Sequence, residues 1–503
     1  AWQTWRVFGS GLPASLATVG RTVYLRAYGY KNTRLMQNMP RSMENNVSPP
    51  PSVYGLGGDD TEAFNRLKAR FLSVAQLSST LRILVLDIED RLNAQINSII
   101  EDEKFQTLEA RWMGLASVVW AKDHAANVKV KLLDLSWQEL EHDLNYTSEI
   151  RTSLLFMRIG MQELDTLGGE PFGILMIDHE LSMSLETDFD ELYTAQLLCR
   201  LGETCMCPIV MGAGTAFFGE SDAAWYTDMR RVTSVLGSGE YATWQRLRAL
   251  PNAQYLGLAM PRTQLRGRYV DRDIGFLFNQ TPAVSEGLWG SAGFDFIRTT
   301  ILEYQRCGWF GFLKLVVGEP GTGAVLAPTL HPLPEGTARY ARARVRLTRN
   351  IAHCYAENGF IPLAESTKSN VLYFVGNNSV ANCHNSTSKE ITAQLQSVMI
   401  GCRMVHYIKI QIRHLIGQLQ TAAECQAVVN NWLEDYVSTS SGSLDQQARY
   451  PLRAAKVKIS EDKANSVRFQ CEITIQPQYQ IDHVLGQITL KTEFDASRLK
   501  KST

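Results

Sequence analysis

Gly168-Gly169-Glu170-Pro171-Phe172-Gly173-Ile174-Leu175-Met176-Ile177-Asp178 is the stretch on which the reading of this fold depends. Its glycines permit positive φ, Pro171 fixes its own φ, and Ile174 to Ile177 form an apolar run of strand length. The segment therefore reads as a glycine-proline turn feeding a buried strand. It holds no obvious nucleophile or metal ligand. Similar strand-like runs lie at Val128 to Leu135, Pro208 to Gly212, Tyr255 to Pro261 and Phe310 to Val317. Amphipathic segments near Ser136 to Leu144, Asp188 to Leu201 and Phe294 to Gln305 separate them. This alternation predicts an α/β middle domain around a largely covered sheet.

The flanks differ. Upstream, Phe64, Leu67, Phe71, Val74, Leu77, Leu81, Leu84, Ile88, Leu92, Ile96 and Ile99 recur every three or four positions, the stripe of a helix or helix pair. Leu81 to Leu86 is continuous enough to read as a strand as well. A second helix, Phe105 to Trp120, follows an acidic break at Glu101 to Glu103. Earlier still, Arg21 to Tyr30 has strand composition. Pro40, Pro49-Pro50-Pro51 and Gly55-Leu56-Gly57-Gly58 mark a linker. Downstream, Phe360 to Leu363 and Val371 to Val375 read as short strands, and Gly376 to Ser388 as a surface loop. A long helix from about Glu390 to Gln418 and a shorter one over Ala422 to Tyr436 follow. Three strand runs close the chain, Ala455 to Ile459, Val467 to Ile475 and Val484 to Phe494. The expected division is an arm and linker at 1–60, a middle domain at 61–345 and a helix-plus-strand domain at 346–503, in a mixed α/β and α+β fold.

With 503 residues, 45% of them apolar, the chain can bury a large core. No run approaches the roughly 18 apolar residues of a membrane span, so no membrane insertion is expected. Gly11 to Gly20 is too short, and broken by Pro13, to serve as a secretory signal core. Nine irregularly spaced cysteines fit reduced thiols better than a disulfide frame. The net charge of −1 hides a basic arm: Arg6, Arg21, Arg26, Lys31, Arg34 and Arg41 face only Glu44 within residues 1–55. Interleaved with Trp2, Trp5, Tyr24, Tyr28 and Tyr30, it suits pairing with a neighbouring subunit, or contact with nucleic acid or an anionic surface.

Catalytic patterns are weak. His179-Glu180-Leu181-Ser182-Met183 opens like a zinc-protease helix but lacks the second histidine. Cys205-Met206-Cys207 has no second pair at finger spacing. Gly318-Glu319-Pro320-Gly321-Thr322-Gly323 lacks the lysine of a phosphate loop, and Gly212-Ala213-Gly214 lacks the serine of an esterase elbow. No metal or cofactor is expected. The long helix is more suggestive. Met404, Val405, Ile408, Ile412, Leu415 and Ile416 fall on one arc, and Arg403, His406, Lys409, Arg413 and His414 on the other. Arg403, His406, Lys409 and Arg413 are therefore candidate docking residues for an acidic partner, the alternative being a solvated face.

The turn at Gly168 to Gly173 resembles the GGEPFG signature of the large sheath subunit of type VI secretion systems, the TssC/VipB family. Other segments resemble that family in the same order. They are Phe105-Gln106-Thr107-Leu108-Glu109-Ala110-Arg111-Trp112-Met113-Gly114-Leu115, Tyr255 to Arg262 with Leu265-Arg266 and Tyr269, Leu288-Trp289-Gly290, and Gly308-Trp309. Gly359 to Leu363, Arg403 with His406 to Lys409, Asn431-Trp432-Leu433 and Arg449 to Arg453 complete the series. Met113 stands where an arginine is expected, and residues 1–57 fit the pattern least. The resemblance implies a contractile-sheath subunit, not an enzyme. Its partners would be a small sheath subunit of the TssB/VipA type, further copies of itself, an inner tube of Hcp hexamers, a baseplate, and a ClpV-type AAA+ unfoldase after contraction. It would work in the bacterial cytosol, with no nucleic acid, through terminal strands shared between neighbours. A related possibility is the sheath of another phage-tail-like contractile injection machine.

Overall fold

The computed structural model describes residues 7–8, 74–122, 127–166, 168–183, 190–219, 226–271, 278–280, 287–314, 323–326, 341–366, 371–382, 393–415, 422–438, 448–462, 465–478 and 488–495. The strand expected at Arg21 to Tyr30 and the linker after it lie outside the described residues. Within the arm, Val7–Phe8 pairs in parallel with Leu132–Leu133.

The glycine-proline turn does feed a strand, β1 (Leu175–Leu181). It is the edge of a five-stranded sheet with β2 (Ile209–Ala213), β3 (Leu256–Met260), β4 (Ile361–Glu365) and β5 (Leu372–Phe374). β1 to β4 run parallel in that spatial order, and β5 returns antiparallel to β4. The period of two sorts the central strands between two cores. Ile209, Met211, Leu256 and Leu258 pack with the helix Glu191–Cys205 and its neighbours. Val210, Ala259, Ile361 and Leu363 pack with the helix Ala292–Cys307 and the long helix Leu395–Leu415. Both faces are covered, as a parallel sheet requires.

Local chemistry sets the helix ends. α1 (Val74–Ile100) and α2 (Glu103–Ala121) are separated where Asp102 accepts from Phe105 N and caps α2. Leu81 to Leu86 is helical, so the strand alternative there is excluded. α3 (Trp137–Tyr146) starts with a capping box between Ser136 and Glu139. Then come α4 (Glu191–Cys205) and α5 (Ala292–Cys307). Gly308, at φ +79°, ends α5 in the left-handed conformation that glycine accepts without strain. α6 (Arg349–Glu357) packs beside β4.

The C-terminal part is built from α7 (Leu395–Leu415), α8 (Ala422–Glu434) and an antiparallel sheet, β6 (Leu452–Asp462), β7 (Asn465–Pro477) and β8 (Ile488–Asp495). α7 lies between the two sheets. Its Met399, Ile400, Met404, Val405 and Ile408 share one buried cluster with Val210 and Ile361 and with Val457, Ile473 and Ile475. Gly257 allows this closeness, since a Cβ there would stand 2.9 Å from Leu395 and 2.7 Å from Ile361.

Three expectations need correction. The boundary at 345/346 is misplaced: β4 and β5 complete the middle sheet, so that unit runs past residue 374 and the C-terminal part begins with α7. Phe310 and Leu313 are fully buried, but residues 310–314 form no strand; the apolar run signalled burial rather than a ladder. Between Val128 and Leu135 the strand is only Leu132–Leu133. The π-helix at Met157–Asp165 had no counterpart in the sequence reading.

Candidate assembly surfaces

Three basic residues of α7, Arg403, His406 and Lys409, are turned toward the rest of the molecule. Arg403, 3% exposed, donates from Nη1 to the Pro171 carbonyl at 3.1 Å, and its guanidinium lies 4.8 Å from the Tyr407 ring centre. His406, 1% exposed, places Nε2 3.4 Å from the Cys205 carbonyl at the end of α4. Lys409 Nζ is 2.7 Å from Asp165 Oδ1 at the end of the π-helix. The Arg413 side chain lies outside the described residues. The docking face expected for Arg403, His406 and Lys409 is thus an internal seam. A helical wheel groups these charges correctly but cannot show that a backbone carbonyl waits opposite.

The other side of the seam is the glycine-proline turn. Gly168 sits at φ +80°, and a Cβ on Gly169 would stand 2.5 Å from the Glu163 carbonyl, so the pair turns tightly over the π-helix. Glu170 N donates to Glu163 Oε2 at 3.0 Å. The buried Lys131 pairs with Glu163 and lies 4.0 Å from Glu170, which also pairs with Lys129. Lys131 Nζ is 5.0 Å from the Phe172 ring centre. Glu163 and Glu170 thus flank a buried cation, and their oxygens have donors, the condition under which burying such a group is tolerable. Burial, reinforced by Arg403, pushes His406 down to about 3, so it is neutral at pH 7.

α1 has the opposite character. Leu81, Ile83, Leu84, Val85, Leu86, Ile88 and Leu92 are between 39% and 65% exposed. They cover several faces of the helix, not one stripe. On α2 the exposed Phe105, Leu108 and Trp112 line one face. The opposite face buries Gly114, Ser117 and Val118 against α5. Gly114 is the contact point, since a Cβ there would fall 2.4 Å from the Phe294 ring. Behind it, Arg266 holds both oxygens of Glu109 at 2.7 and 2.6 Å, and the Tyr269 hydroxyl donates to the same carboxylate at 2.7 Å. α2 is thus fastened to the middle domain, while the apolar residues of α1 stay exposed over several faces of the helix.

The carboxyl ends of β1 to β3 are where an α/β enzyme would place its chemistry. Here Glu180 grips Arg262 at 2.6 and 2.8 Å, Asp178 lies 3.5 Å from Arg111, and His179 stacks on Trp137 at 3.8 Å beside Glu191. Burial raises the Asp178 pKa. The cavity between Gly214, Tyr226, Arg262 and Arg344 is about 20 Å³, room for one water. Burial pushes the Cys205 thiol up to about 12 and raises Cys207 well above the usual thiol range, so neither is a thiolate at pH 7. Among the described residues no three His, Cys, Asp or Glu side chains group to hold a metal, and no helix is long and apolar enough to cross a membrane.

Residues 83–381 match the family described as EvpB/VC_A0108, tail sheath N-terminal domain (VipB). Residues 384–494 match its tail sheath gpW/gp25-like domain. The two matches meet where the fold passes from the middle sheet to α7. The type VI secretion system sheath protein TssC1 of Pseudomonas aeruginosa is 23% identical over 434 residues, 82% of this chain and 86% of that one. Among solved structures, the sheath tail proteins of Desulfitobacterium hafniense and Listeria innocua align at 9% and 12% identity, each with a TM-score of 0.28. Each alignment covers 61% of this chain, and 62% and 61% of theirs, less than two thirds of their length.

Proposed function

The chain belongs to the VipB/EvpB tail sheath family, the large subunit of the type VI secretion contractile sheath, and from that premise we propose how it assembles. Helix α1 and the outer face of α2 receive helices of a small sheath subunit of the TssB/VipA type. The resulting protomer polymerises as a helical cylinder around a tube of Hcp hexamers in the bacterial cytosol. A baseplate triggers contraction, the tube is driven outward, and a ClpV-type AAA+ unfoldase dismantles the contracted sheath.

The observation that carries the proposal is the exposure of α1. Covering each of its half-exposed Leu, Ile and Val side chains gains on the order of 1 kcal/mol, and several together hold a helix partner firmly. Links between protomers use strand addition at the C-terminal sheet, where main-chain hydrogen bonds join subunits largely without regard to sequence. Such links persist while rigid bodies slide and rotate. Head-to-tail contacts of this kind leave an open helical array rather than a closed ring.

The test is co-expression with a small sheath subunit, followed by negative-stain imaging. Hollow cylinders are expected. Removing residues 1–30, or the segment from Val484 onward, should abolish long cylinders while the middle domain stays folded. A monodisperse globule from the intact pair would overturn the reading.

A further inference from the structure

The two edges of the C-terminal sheet are not equivalent. In β6 the N–H and C=O of Val457 turn away from β7, and both are occupied by one side chain of α8: Val457 N donates to Asn430 Oδ1 at 2.8 Å, and Asn430 Nδ2 donates to Val457 O at 3.2 Å. One helical turn earlier on α8, Gln426 Oε1 accepts from Ile459 N at 3.0 Å. At the start of β6, Ser438 N donates to Leu452 O at 3.0 Å and Leu452 N to Tyr436 O at 3.3 Å. The outer edge of β6 is therefore filled at Leu452, Val457 and Ile459 by the chain's own groups. An amide carries both a donor and an acceptor, so Asn430 reproduces the pair of bonds a strand residue would make.

Among the described residues no side chain fills the outer edge of β8 in this way. The ladder pairs Cys471 with Thr492, Ile473 with Leu490 and Ile475 with Ile488. Since Val457 faces outward on β6, its register partner Ile473 faces β8, and alternation then turns the N–H and C=O of Thr489, Lys491 and Glu493 outward. Among the described residues no strand lies beyond them.

We propose that Asn430 and Gln426 act as a surrogate strand that closes the β6 edge, so that a strand from a neighbouring subunit adds only along β8. This deepens the assembly reading and rests on it. A sheet receptive on both edges would let each subunit pair in two ways and branch. A sheet receptive on one edge gives every subunit one acceptor and imposes a single polarity on the polymer.

Amide hydrogen exchange on the full chain, before and after assembly with the small subunit, tests this. In the free chain, Val457 and Ile459 should be protected and Thr489, Lys491 and Glu493 should exchange fast. On assembly the β8 amides should slow by about tenfold or more while Val457 and Ile459 change by less than about twofold. In the double variant Asn430→Leu/Gln426→Leu, Val457 and Ile459 should lose protection and cylinders should give way to branched or irregular aggregates. Asn430→Asp, which keeps the acceptor for Val457 N, should retain protection there. New protection on the β6 edge of assembled wild type, with none on β8, overturns the proposal. So does fast exchange of Val457 and Ile459 in the free wild-type chain. Failure of the intact pair to polymerise at all would count against the assembly reading, and exchange in the free chain would still decide whether the guard exists.

Discussion

Helices α1 and α7 are both long and rich in Leu, Ile and Val, yet they meet opposite environments. α1 leaves Ile83, Val85 and Leu86 more than half exposed, whereas α7 buries Arg403 and His406 almost completely. The difference lies in what stands opposite. The Pro171 and Cys205 carbonyls and the Asp165 carboxylate receive the polar groups of α7. Nothing described in this chain stands over the middle of α1. In a subunit made to polymerise, polar side chains can fasten the interior of one brick while apolar ones wait for the next. Exposed Leu and Ile are then informative only when they form a continuous patch.

The contrast can be broken from either side. The largest effect should come from Ile83→Glu/Leu86→Glu. Co-assembly with the small subunit should fall at least about a hundredfold by co-sedimentation, while urea stability of the free chain moves by less than about 0.5 kcal/mol. Arg403→Ala should do the reverse. It strips the donor from the buried Pro171 carbonyl and the cation from the Tyr407 ring, and should cost about 2–4 kcal/mol in urea denaturation of the free chain. Arg403→Lys should recover only part of this, because an ammonium cannot reproduce the guanidinium's fixed fork of donors. Gly114→Ala, which drives a methyl into the Phe294 ring, should cost about 1–3 kcal/mol and loosen α2 from α5, measurable as a lowered urea midpoint.

Acid offers a gentler probe. His406 titrates near 3 when folded against an ordinary 6.5, so the folded chain favours the neutral ring. Its contribution is complete above pH 6.5 and is lost as the pH falls from 6.5 toward 3, at up to about 1.4 kcal/mol per unit. In His406→Gln this limb of the stability profile should flatten. The smallest effect belongs to Lys409→Ala. That partly exposed pair with Asp165 should be worth about 1 kcal/mol in the free chain, and assembly should be unaffected once the chain is folded.

Much of the fold was legible because it rests on local periodicity. The apolar runs at Leu175, Ile209 and Leu256 became β1, β2 and β3, and the amphipathic segment near Ser136 to Leu144 became α3. Membership of a strand in a given sheet is not local. Nothing near Ile361 says that it pairs with Ala259, so the domain boundary was drawn before β4 rather than after β5. The buried fate of Arg403 depends on a carbonyl 232 residues away, beyond any wheel or window. A signal for α1 was present: Leu81 to Leu86 is apolar on more than one face, which a helix tolerates only when fully buried or awaiting a partner. The amides Gln426 and Asn430 stand one helical turn apart, a spacing with no meaning until β6 lies alongside.

The most direct measurement is negative-stain imaging of the chain co-expressed with a small sheath subunit, wild type beside Ile83→Glu/Leu86→Glu. The account predicts hollow cylinders from the wild type and dispersed, folded particles from the variant. Cylinders of normal length from the variant, or none from the wild type, would contradict it.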